Sequence, residues 1–174
     1  MKHSIVQWPA PVLRAPAETV DEITDDVRAI WDEMIEVMEA MPGYGLAAVQ
    51  LGVPLRLAVV DASTRRGEVI RLANPEILHS SVELRDHEEA SPNLPGVSAK
   101  VKRPRAVTVR FMNEQGEQDE KEFVGLWATS VQHQIDHLNG KMYFDNLSRT
   151  KRAMLLKKAE KLVMHGPGGN CSCC

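Results

Sequence analysis

The first 170 residues contain no cysteine, and all three cysteines fall at the end of the chain as Cys171, Cys173 and Cys174. That absence excludes a disulfide framework for the fold and any thiolate-built structural zinc site within it. Aromatic residues are sparse at 5%, and no apolar run approaches the ~20 residues of a membrane helix. Residues 1–8 hold no apolar core of the length a secretory signal uses, so none is expected. An excess of either charge is also missing. The formal net charge of −3 argues against DNA as a partner, and the sequence reads as a cytoplasmic protein without a membrane partner. The 174 residues suit one domain, assigned here to residues 1–165. Residues 166–174 read as a flexible Gly/Cys-rich tail. Its thiols could capture a metal. Cys171 lies four from the end but lacks the aliphatic middle of a prenylation box.

Prolines in Pro9–Ala17 predict an extended or turn-rich lead-in. A helix follows over Thr24–Met41. Val27, Ile30, Trp31, Met34, Ile35 and Met38 form one stripe, Asp25 and Asp26 suit its positive end, and Pro42-Gly43 stops it. Between Gly52 and Lys121 the pattern turns to β. Strands are expected at Leu55–Asp61, Glu68–Leu72, Val82–Arg85 and Ala106–Phe111, with a hairpin turn at Asn113–Glu117 leading to a polar edge. Turns rather than helices between strands imply antiparallel pairing. A second helix is expected over Phe123–Asn139, with Val124, Trp127, Val131, Ile135 and Leu138 inward, and a third from the cap Ser148 to Met164. The fold class is α+β.

His133 and His137 lie one turn apart on the second helix, a spacing that brings two imidazoles onto one face where they can chelate a divalent ion. Gln132-His133-Gln134-Ile135-Asp136-His137 differs by one amide from H-E-x-x-H, in which the Glu is a general base. Upstream stand Gly43-Tyr44-Gly45-Leu46-Ala47-Ala48-Val49-Gln50 and Glu88-Glu89-Ala90-Ser91-Pro92-Asn93. In these stretches the chain resembles the peptide deformylase family, whose motifs are G-x-G-L-A-A-x-Q, E-G-C-L-S and Q-H-E-x-D-H in that order. The resemblance spans residues 3–165.

The resemblance implies a deformylase-like fold, with antiparallel sheets around the helix that carries the two histidines. It implies removal of the formyl group from N-formylmethionine at the N-terminus of nascent peptides, by an iron, zinc or nickel ion held by two His and a Cys. Ser91 stands at the Cys position, and a neutral hydroxyl is a far weaker ligand than a thiolate. Gln134 stands at the Glu position, where an amide cannot accept a proton near neutral pH. Pro92 stands where the family uses a backbone N–H beside the Gln at position 50 to stabilise an oxyanion, and proline has no N–H. The expectation is therefore a deformylase-like protein with lost or greatly reduced activity and a metal held weakly, if at all, through His133 and His137. Gly43, Gly45, Leu46, Gln50, Thr129, Ser130 and His133 are expected to line a retained peptide groove. The alternatives are an active hydrolase with a modified metal site and a ribosome- or peptide-binding module. His79 and His87 are read as surface residues, and Asp136 as orienting a ligand imidazole.

The third helix carries Arg149, Lys151, Arg152, Lys157, Lys158 and Lys161 against Glu160, a local excess of +5. It reads as a solvated helix packed on the domain through Leu155, Ala159 and Leu162. Ribosome contact through its basic face is the sharper expectation, since some bacterial deformylases dock at the ribosome through such a helix.

Overall fold

In the computed structural model residues 2–164 are described. The tail with its three thiols, and the expectations attached to it, lie outside the described residues. Helix α1 spans Asp25–Ala40, capped by the Thr24 side chain, which accepts from the Val27 N–H. The short strand β1 (Gly45–Ala47) and a 3₁₀ turn (Ala48–Leu51) follow, then β2 (Leu57–Val60) and β3 (Ile70–Ser80). β4 (Leu84–Ser91), β5 (Leu94–Pro104), β6 (Ala106–Met112) and β7 (Gln118–Val124) lead into α2 (Leu126–Leu138) and α3 (Arg149–Met164). The strands pair antiparallel in a five-stranded sheet, ordered β1-β2-β3-β6-β7, and a separate hairpin, β4-β5. No helix among the described residues is long and apolar enough to cross a membrane.

The sheet lies between α1 and α2, and β2 shows why. Its residues Leu57 and Val59 pack with Val27, Trp31, Met34 and Met38 of α1. Ala58 and Val60 pack with Val131, Ile135 and Leu138 of α2. A strand buried on both faces reads as a continuous apolar run, which Leu57–Val60 is. A third cluster joins Leu94, Val97 and Val101 of β5 to Met142, Tyr143, Phe144 and the Leu155 and Ala159 side of α3. Leu162 stays 43% exposed, so the inward face of α3 is narrower than its periodicity suggested.

Two expectations about element bounds need correction. Phe123 and Val124 belong to β7, paired with Val107 and Ala106, because Gly125 at φ 65° turns the chain before the helix begins. Val124 is accordingly exposed and not part of the inward stripe. The Val82–Arg85 strand begins only at Leu84, and Val82 projects into solvent at the bend before it. The lead-in is turn-rich as expected, with one 3₁₀ turn at Pro11–Leu13. β5 carries Pro95 and Pro104, which are tolerated because a strand paired on one side needs no donor on the other.

Candidate functional site

Helix α2 presents His133 and His137 with their Nε2 atoms 3.1 Å apart. Glu89 of β4 accepts a hydrogen bond from His133 Nδ1 at 2.8 Å. That bond ties His133 Nδ1 to the carboxylate and leaves its Nε2 to meet the His137 ring, one proton being shared between the two Nε2 atoms. Burial, with the nearby charge of His133 and Arg103, holds the His137 pKa well below its ordinary value and keeps the ring neutral. His137 Nδ1 is buried and has no partner.

Glu89 is fixed from its other side by Arg103 of β5. Nε and Nη2 donate to the two carboxylate oxygens at 2.7 and 2.9 Å, and Nη1 donates to Asp136 of α2 at 2.9 Å. Burial pushes the Glu89 carboxyl up, but the His133 and Arg103 hydrogen bonds and charges outweigh it and bring it down to about 2. Asp136 thus holds the arginine that holds Glu89, and it reaches His133 only through these two side chains instead of orienting an imidazole directly.

The other wall is an amide network. Ser91 and Leu94 pair across a tight turn with Pro92 and Asn93 at its centre, and Pro92 fills a position that suits its fixed φ. Asn93 Oδ1 accepts from the Ser91 hydroxyl at 2.8 Å and from Gln50 Nε2 at 2.7 Å. Gln50 Oε1 accepts from the Ala47 N–H, so both ends of that amide are engaged. Asn93 Nδ2 donates to the Val6 carbonyl at 2.6 Å and its carbonyl accepts from the Trp8 N–H, so the N-terminal segment closes the back of the site. Asn93 was not singled out in the sequence. Its one signal was a buried-type amide next to Pro92, with partners too distant along the chain to guess.

A cavity of about 580 Å³ opens between the free edge of β1 and β4. It brings together Gly43, Gly45, Gln50, Ser91, Thr129, Ser130, His133 and Gln134. A side chain at Gly45 would lie 2.6 Å from both Gln134 Nε2 and Ser130 Oγ, so only glycine admits this approach of β1 to α2. Gln134 Oε1 is buried without a partner. Leu46 does not line the cavity. Alternation along β1 turns it into the α1 core, where it is fully buried. His137 sits behind His133, also fully buried. His79 is exposed as expected, but His87 is not a free surface residue. It faces inward on β4, lines the cavity and buries its Nδ1 without a partner.

The Nε2 atoms of His133 and His137 are the nitrogen donors that a divalent ion would use here. Among the described residues no three His, Cys, Asp or Glu side chains group to hold an ion. The third position is the Ser91 hydroxyl, already bonded to Asn93, and His137 lacks the outer partner that normally orients a ligand imidazole.

The family model described as "Polypeptide deformylase" matches residues 2–153. The chain belongs to the polypeptide deformylase family. Relatives in this family include peptide deformylases of Phenylobacterium zucineum, 42% identical over 91% of this chain and 95% of theirs, and of Afipia carboxidovorans, 43% identical over 91% and 94%. The peptide deformylase structure from Legionella pneumophila superposes with a TM-score of 0.87 at 35% identity, covering 95% of this chain and 97% of that one. The Ehrlichia chaffeensis deformylase in complex with actinonin gives a TM-score of 0.85 at 31% identity, with 92% and 96% covered. The α+β deformylase fold is therefore the fold of this chain, and the chain is a homologue of hydrolases.

Proposed function

We propose that this family member holds the formylated N-terminus of a peptide in its groove but turns it over at no more than a trace of a deformylase rate. One observation carries the reading. Asn93 Oδ1 takes both the Gln50 amide and the Ser91 hydroxyl, the two groups expected to face an oxyanion and a metal. Pro92 has no N–H to replace the lost donor, and removing one such donor costs ~10²–10³ in rate. Gln134 cannot act as a base, a further ~10²–10⁴. Two imidazole nitrogens alone would hold iron, zinc or nickel weakly.

The two free strand edges that flank the cavity support the binding half of this reading. Asp61 donates its N–H to the Tyr44 carbonyl, so by antiparallel alternation the N–H and C=O of Gly45 turn to the free edge of β1. The far wall is β4, whose outer edge pairs with no other strand. An extended peptide laid between them would pair as an added strand, the usual way exposed sheet edges bind chains.

The test is hydrolysis of formyl-Met-Ala-Ser by the protein loaded in turn with ferrous, nickel and zinc ions, where only trace turnover is expected. Ordinary turnover would overturn the proposal and favour a hydrolase with a modified site. Gln134→Glu alone is expected to remain inert, because groups acting as a unit are strongly non-additive. Ser91→Cys, Pro92→Leu and Gln134→Glu together are expected to regain measurable turnover, and adding Asn93→Ser, which frees Gln50, to raise it further.

A further inference from the structure

We propose that Arg66 is a positioning residue for the peptide groove, clamping the chain ahead of β1 so that Gly45 presents its backbone groups at a fixed height. The proposal rests on the peptide-binding reading above. Arg66 has φ 62°, and the only other non-glycine residue with positive φ among those described is Asn74. Asparagine enters this region readily, whereas arginine does so only where its surroundings hold it there.

The hold comes from Asp61, which is fully buried at the end of β2. Its carboxylate accepts from the Ser63 N–H at 3.0 Å, from the Ser63 hydroxyl, and from the Gly67 N–H at 2.9 Å. The loop is wound around this side chain, and the winding carries Arg66 back over β1. Its guanidinium then spans two segments. Nη1 donates to the Asp61 carbonyl at 2.8 Å and Nη2 to the Gly43 carbonyl at 2.7 Å. The next carbonyl, of Tyr44, accepts from the Asp61 N–H and from the Ser130 hydroxyl, each at 2.8 Å. The carbonyls of both residues just ahead of Gly45 are thus tied, that of Gly43 through the planar fork that joins it to Asp61 and that of Tyr44 through Asp61 and Ser130. Gly43 and Tyr44 both line the cavity, whereas Arg66 does not touch it.

A residue serving only the loop would be better as glycine, which adopts positive φ without strain. Arg66→Gly therefore separates the two roles. In the full chain, Arg66→Gly is expected to weaken binding of formyl-Met-Ala-Ser by at least about fivefold, through lost preorganisation of the lip, while the thermal midpoint stays level or rises. Arg66→Lys, which can reach one carbonyl, is expected to recover part of the affinity. Equal affinity in wild type and Arg66→Gly would overturn the proposal, as would a loss that tracks a fall in melting temperature. Should the wild type not bind the peptide, the groove reading fails instead, and amide exchange at Asp61 still tests the clamp. Faster exchange in Arg66→Gly supports it, and unchanged exchange overturns it.

Discussion

Replacing Arg103 by methionine isolates the energetics of the ion network beneath the histidines. The guanidinium is 7% exposed and Glu89 3%, so neither charge has water to fall back on. With Arg103→Met, Glu89 keeps only the His133 hydrogen bond and Asp136 loses its closest cation. Leaving a buried charge without its partner costs about 3–5 kcal/mol, a large part of the stability of a domain this size. On a chain of this length that is a melting shift of roughly 6–20 °C. Urea denaturation at pH 7, with the slope checked for constancy, measures it directly. The decisive comparison is the double variant Arg103→Met, Glu89→Gln. It removes both charges, still lets position 89 accept from His133, and is expected to cost less than Arg103→Met alone. A single-variant loss below about 1 kcal/mol, or a double variant whose cost is the sum of the singles, would refute the assignment of Arg103 as the counter-charge.

Three further outcomes are expected. Gly45→Ala forces a methyl within 2.6 Å of Gln134 and Ser130 and 3.0 Å of the Val59 carbonyl, so it should cost about 1–3 kcal/mol in denaturation and abolish peptide binding in a titration. Although burial pushes Asp145 up, hydrogen bonds from Arg14 and the Met142 N–H and the Arg14 and Arg152 charges hold it below its ordinary value. Its contribution is complete above the ordinary aspartate range and is lost as pH falls through the depressed value, so Asp145→Asn should flatten the acid limb of a stability-against-pH curve. If the exposed Arg149, Lys151, Lys157, Lys158 and Lys161 of α3 meet RNA phosphate, ribosome co-sedimentation should fall with added salt and with Lys157→Glu, Lys161→Glu. Salt-independent sedimentation would sink that idea.

Periodicity carried most of the fold. The α1 stripe was legible because residues 3 and 4 apart face one way, and the histidine pair was legible for the same reason. What stayed hidden depended on partners far along the chain. Phe123 and Val124 fit a helical stripe as well as a strand, and only their pairing with Val107 and Ala106 decides between the two. β5 was masked by prolines that an unpaired edge forgives. Leu46 sat inside a glycine-rich motif, yet strand alternation sends it to the core. Asn93 acts through Gln50, 43 residues earlier, a contact that no local pattern encodes. His87 looked like a polar surface position until β4 turned it inward beside Glu89.

The segment that closes the back of the site has a consequence for synthesis. Gln7 donates to the Pro92 carbonyl, a partner 85 positions later, and Val6 and Trp8 meet Asn93 in the same turn. Val6 can meet the Gln50 carbonyl early, but the contacts of Gln7 and Trp8 with this turn wait for a stretch of some 85 further residues. Contacts of such separation are costly to close and form late. During synthesis the cavity therefore stays open at the rear, its closing segment held only by its earlier contacts such as Val6 to Gln50, until the β4–β5 turn has emerged.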